Sequence, residues 1–211
     1  MKINAEKTSL MCVSAAYSFV PKVSVTLNNQ TVSGQDSLKL LGVTIDSDMS
    51  FRSHIQKIAA RLRARTWSLA RLRKKGLDHQ KLVRAYSCLI RPLCEYACPS
   101  WHSLLTAEQA EMLERQQSQA LKNVFGTGLS ACKMRQKAGV ELLSRRREKI
   151  CVKFANKCVT NVRTAHWFQE RSNPNYSRRS NTNYPRYKEP TARTDRFRNS
   201  PKNFLIRLLN K

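Results

Sequence analysis

The chain has 211 residues, 41% of them hydrophobic, which is enough to bury a core without disulfide or metal staples and excludes a stapled mini-protein. Lys and Arg number 39 against 14 Asp and Glu, giving a formal charge of +25 and a pI near 10.4, so a polyanionic partner is implied. A mean hydropathy of -0.54 excludes a membrane-spanning class, and the hydrophobic share argues against disorder over the whole length.

The charge is unevenly placed. Residues 1–51 carry Lys2, Lys7, Lys22 and Lys39 against Glu6, Asp36, Asp46 and Asp48, so the whole excess lies beyond Phe51. A neutral platform joined to a polyanion-binding surface is expected. The platform reads as strands. Leu10, Cys12 and Val13 mark one apolar run, and Val23, Val25 and Leu27 alternate with polar residues. Asn28-Asn29 then supplies turn chemistry leading into Thr31 and Val32, which predicts a hairpin. After Gly34, the alternation from Leu38 to Ile45 predicts one further strand, with Gly42 inside it marking a bulge or a close backbone approach.

From about His54 the period becomes helical: Ile55, Ile58, Ala59, Leu62, Thr66 and Leu69 share one face. Nine basic residues and no acid lie between Arg52 and Lys75, among them Lys57, Arg61, Arg65, Arg71, Lys74 and Lys75. A solvated face normally mixes both signs; like charges at helical spacing repel, so this one needs an external anion. Gly76 ends the helix and Asp78 caps a second one carrying Leu82, Val83, Tyr86, Leu89 and Ile90, which stops near Pro92. Thr106 and Gln109 form a capping box that opens a third helix, with Ala110, Leu113, Ala120, Leu121 and Val124 inward. A fourth helix opens after Ser144, with Cys151, Phe154, Ala155, Cys158 and Val162 on one side and Arg145, Arg146, Arg147 and Lys149 at its start. Positive charge at a helix N-terminus opposes the macrodipole, so those arginines are expected to meet an external anion.

Residues 171–203 hold four of the seven prolines with many Asn and Ser, which reads as a disordered basic tail. Tyr176, Tyr184 and Tyr187 within it suit base stacking, and a plain charged linker fits the composition equally well. The closing run Phe204 to Leu209 is too short to span a membrane and suits docking on the core.

Seven cysteines, at 12, 88, 94, 98, 132, 151 and 158, form no C-x-x-C pair and follow no signal peptide, so a reducing compartment is expected. Five sit in or beside helical segments, where free cysteine acts as a small buried hydrophobe. Cys94, Cys98 and His102 mimic metal spacing, but Pro99 breaks the helical register and no fourth ligand follows. Gly126-x-Gly128-x-x-Ala131 follows a helix where a dinucleotide fingerprint needs a strand, so it reads as a helix stop. Asp46-x-Asp48 reads as turn and helix cap in preference to a metal pair. The four histidines lie far apart, and Trp101 reads as a core anchor.

Taken in order, these segments resemble the C-terminal part of a reverse transcriptase from a non-LTR (LINE-like) retrotransposon. Lys2 to Thr8 is similar to the K-x-N-x-x-K-T stretch after the catalytic strand of the palm, and Leu38 to Asp46 to the primer-grip strand with its L-G-x-x-I/L-D core. Ser50 to Ile55 resembles the entry into the thumb, Arg91-Pro92-x-x-Glu95-Tyr96-Ala97-x-x-x-Trp101 the R-P-x-x-E-Y-A-x-x-x-W motif, and Leu113-Glu114-x-x-Gln117 the L-E-x-x-Q that follows it.

The resemblance implies an α+β fold: a small antiparallel palm remnant with the primer-grip strand over 1–51, a helical thumb over 52–128, a further basic helical segment over 129–170, and a basic tail over 171–211. It implies that Leu41, Gly42 and Val43 touch the primer strand, that Lys7 lies near the leaving group, and that Arg61 and Arg65 on the first helix track a template-primer duplex. Lys57, Arg71, Lys74, Lys75, Arg145, Arg146 and Arg147 complete the expected nucleic-acid contacts. The catalytic Y-x-D-D does not occur in the sequence. No catalysis by this chain alone is therefore expected, Mg²⁺ belongs only to a complete polymerase, and the missing N-terminal polymerase portion is an implied partner. A truncated element copy or a partial gene model is implied, with a nuclear location suggested by the basic runs Arg71 to Lys75 and Arg145 to Lys149. A stand-alone basic nucleic-acid-binding module and the product of a decayed element remain the alternatives.

Overall fold

The computed structural model describes residues 4–13, 23–171 and 185–211. Expectations attached to Lys2, Ile3, Lys22, Pro174, Tyr176 and Tyr184 lie outside the described residues. The fold is α+β, and the chain divides into two compact units, Met1–Arg63 and Ala64–Lys211.

In the first unit, Asn4 caps a single 3-10 turn, Ala5–Lys7, by accepting the Glu6 N–H at 2.9 Å. The expected hairpin forms from β1 (Ser24–Leu27) and β2 (Gln30–Ser33), with Asn28 and Asn29 at φ 48° and 61° as a two-residue turn requires. Gly34 is obligatory, because a Cβ there would stand 2.8 Å from the Val23 carbonyl oxygen. The run from Leu10 to Val13 is not a strand. It supplies one bridge, Leu10 to Gly34, and no buried face, since Val13 is 54% exposed.

The stretch from Leu38 to Ile45 corrects a second expectation. It is a hairpin, β3 (Ser37–Leu40) against β4 (Val43–Asp46), with Leu40 opposite Val43 and the chain reversing at Leu41-Gly42. Gly42 takes φ 86° and Leu41 φ 46°, so the glycine serves a tight turn and not a bulge. Past β4, Asp46 Oδ2 accepts the Ser53 N–H at 3.1 Å and Asp48 Oδ1 the Ser50 N–H at 3.0 Å, which is the turn-and-cap reading of that acidic pair. The helix they open, α1 (Arg52–Lys74), buries the predicted face of Ile55, Ile58, Ala59, Leu62, Thr66 and Leu69.

The second unit is helical. Asp78 caps α2 (His79–Leu89), accepting the Lys81 N–H at 2.8 Å, and Pro92 sits at the start of α3 (Arg91–Glu95). The capping box of Thr106 and Gln109 opens α4 (Ala107–Phe125) as its spacing predicts. A helix not foreseen separately, α5 (Ala131–Ala138), runs between a Ser130 N-cap and a left-handed Gly139. At the centre lies α6 (Leu143–Thr160), which packs on α3, on α4 and on the turn at Cys98–Ser100. Its buried side holds Cys151, Ala155 and Cys158; Phe154 and Val162, expected inward, are 41% and 93% exposed, Val162 because the helix ends at Thr160.

From residue 185 the expected disordered tail is folded. Short α7 (Asp195–Arg198) precedes α8 (Pro201–Leu209), which lays Leu205, Ile206 and Leu208 on α6. Composition pointed to disorder, but one apolar helix face is enough buried surface to order the segment beside it. Tyr187 is buried against Phe168 and joined to Asn210 by two hydrogen bonds, 2.8 and 3.0 Å, so it offers no ring to a base.

Candidate nucleic-acid interface

The outer face of α1 is continuous positive charge. By helical register Lys57, Arg61 and Arg65 succeed one another at four-residue steps, and all three are exposed, as are Arg71, Lys74 and Lys75 further on. Lys57 and Arg61 belong to the first unit, and Arg65, Arg71, Lys74 and Lys75 to the second. No carboxylate pairs with any of these six among the described residues. Arg73 differs: its register puts it with Leu62, Thr66 and Leu69, and Nη1 donates to the Lys122 and Asn123 carbonyls at 3.3 and 3.2 Å, capping the end of α4.

The start of α1 shows what that field does to a neighbour. His54 is buried and accepts the Thr44 N–H on Nδ1 at 3.3 Å, while Lys57 donates to the Thr44 hydroxyl at 3.1 Å. Burial lowers the His54 pKa first, and the charges of Arg61 and Lys57 lower it further.

The remaining expected contacts divide. Leu41 stands at the β3–β4 tip, 84% exposed, with Gly42 beside it; Val43 points inward and is buried. Lys7 is exposed at the end of its 3-10 turn. Arg145 is exposed, but Arg146 donates to Glu95 at 2.8 Å, and Arg147 is fully buried. Arg147 therefore cannot meet an external anion. The macrodipole argument is answered from within: Glu114 accepts the Leu143 and Ser144 N–H groups at 3.2 and 2.7 Å, Glu95 holds Arg146, and Glu141 pairs with Lys149.

These partners place the motif residues in the framework. Arg91 and Glu95 form a one-turn ion pair at 3.3 Å, and Trp101 is buried with its indole N–H donated to the Tyr96 carbonyl at 3.0 Å. Gln117 Nε2 donates to Tyr86 Oη and to the Glu141 carbonyl, both at 2.9 Å. The Arg91–Glu95 pair and the Trp101 bond are local, whereas Gln117 reaches partners 31 and 24 residues away that leave no local signal in the sequence. Cys94, Cys98 and His102 are brought near one another around Arg147, whose Nε–H is donated to His102 Nδ1 at 3.2 Å. No group of three metal-binding side chains occurs among the described residues.

No family model and no solved structure matches the chain. Among curated proteins, it is 33% identical over 101 residues to the RNA-directed DNA polymerase from mobile element jockey of Drosophila funebris, a match covering 46% of this chain and 11% of that relative. The chain thus spans a small part of the length of the relative it matches, and the region that does match is reverse-transcriptase-like.

Proposed function

We propose that this chain is part of a retrotransposon RNA-directed DNA polymerase and holds the template-primer duplex on the outer face of α1. The observation that carries the reading is an acid-free row of exposed cations along one helix, in a chain with a reverse-transcriptase-like region. An RNA–DNA hybrid is A-like, so phosphates and shape are its recognisable features and sequence counts for little. The β3–β4 tip, Leu41-Gly42, is the primer-grip element in this reading, with Val43 anchoring it from below. Lys7 and Arg145 are secondary contacts, and Arg146 and Arg147 support the fold.

Catalysis belongs to the palm carboxylates of a longer polymerase, which this chain would join as a partner. Asp46 and Asp48 each accept a backbone N–H of the turn that opens α1, which is the role this reading gives them. A nuclear location follows from the same reading. The test is equilibrium binding of the full chain to an RNA–DNA hybrid by fluorescence anisotropy. Tight, sequence-independent binding that weakens by about 10³ or more between ~50 and ~200 mM salt is expected; no binding at the lower salt contradicts the proposal.

A further inference from the structure

Trp67 stands on α1 with 61% of its surface exposed, on the side opposite the buried face. Tryptophan is usually among the most buried side chains of a protein, as Trp101 is here. The Arg71 guanidinium lies over the Trp67 ring at 4.8 Å from its centroid, one helical turn away. Along the same exposed stripe the positions one and two turns before it are Ala64 and Ala60, too small to cover an indole, with Arg63 and Lys74 on either side. A shallow depression of ≈ 220 Å³ lined by Ser68, Arg71, Leu72 and Lys75 adjoins it.

An exposed indole can serve an apolar protein groove or a flat π-system. The charge decides between them. Every ionised side chain from Arg52 to Lys75 is positive, so a partner must be anionic and must also present a face that stacks. Nucleic acid with an unpaired base satisfies both conditions, whereas a duplex interior hides its base faces in its own stack. We infer that Trp67 and Arg71 form a stacking platform for a single unpaired nucleobase, with Lys74 and Lys75 holding the flanking phosphates. This inference rests on the nucleic-acid reading of α1 and extends it from the duplex to single-stranded template or a strand end.

The experiment compares binding of the full chain to a blunt RNA–DNA hybrid and to the same hybrid carrying a single-stranded overhang, at one salt concentration, with intrinsic tryptophan fluorescence as a second readout. Native chain should prefer the overhang and show quenched emission on binding it. Trp67→Ala should lower the overhang-to-blunt affinity ratio by about tenfold, the order of one lost base–aromatic stack, and Trp67→Phe should retain part of the preference but lose the quenching. Arg61→Ala with Arg65→Ala should weaken both ligands together and leave the ratio standing. A ratio unmoved by Trp67→Ala overturns the platform while the duplex reading survives; failure of the native chain to bind either ligand overturns both.

Discussion

Arg147 donates its Nε–H to His102 Nδ1 at 3.2 Å, inside a helical core where the guanidinium also faces the Trp101 ring at 5.7 Å. Its Nη1 and Nη2 have no hydrogen-bond partner among the described residues. Burial, and then the Arg147 charge, lower the His102 pKa to about 4. A depressed histidine is stable in its neutral form, so its contribution is fully present above about pH 6.5 and is lost as pH falls toward about 4. Thermal melts should drop across that window, and His102→Gln should reduce the slope by up to about 1.4 kcal/mol per pH unit. His54, lowered in the same direction, leaves a residual slope. Arg147→Met should raise the His102 pKa, readable by NMR titration; an unmoved pKa would show that the guanidinium does not act on the ring.

Glu114 reaches from α4 to the first two amides of α6. Removing it leaves those N–H groups unanswered at a helix end, and Glu114→Ala should destabilise the fold by about 2 kcal/mol in urea unfolding. Glu114→Gln keeps an acceptor without the charge and should fall between. Equal stability of all three forms would contradict this bracing of α6.

Cysteine reactivity should follow burial. Cys88 and Cys132 are exposed and Cys94, Cys98, Cys151 and Cys158 are buried, with burial pushing the Cys94 thiol up to about 12. A disulfide reagent added to the native chain should modify Cys88 and Cys132 first and the buried four only on unfolding. Early modification of Cys94 would refute the placement of α3 against α6.

Leucine is a poor choice for φ 46°, yet Leu41 holds that position at an exposed tip. Asn tolerates the left-handed region, so Leu41→Asn should stabilise the hairpin by about 0.5 kcal/mol. If the tip touches the primer strand, the same substitution should weaken hybrid binding while the melt improves. Improvement in both would remove the tip from the interface.

Elements governed by local rules were legible in the sequence: the Asn28-Asn29 turn, the Asp78 cap, the Thr106–Gln109 box and the buried stripe of α1 all follow from neighbours within one turn. What escaped depends on distant partners. The alternation through Leu38 to Ile45 is the same for one strand and for two short ones, and only backbone reversal at Leu41-Gly42 separates them. The arginines at the start of α6 looked unpaired because Glu95, Glu114 and Glu141 are remote or unremarkable in the sequence. Trp67 falls outside the apolar stripe of α1 by register, but the sequence does not show that nothing else covers it; its 61% exposure does.

If the outer face of α1 binds the nucleic-acid backbone, counterion release on binding registers each phosphate contact. Binding constants for an RNA–DNA hybrid would be taken over a salt series for native chain and for the double variant Arg61→Ala, Arg65→Ala. The slope of log K against log salt should flatten by about one unit for each lost phosphate contact, with equal weakening on unrelated sequences. An unchanged slope would contradict backbone binding by this face.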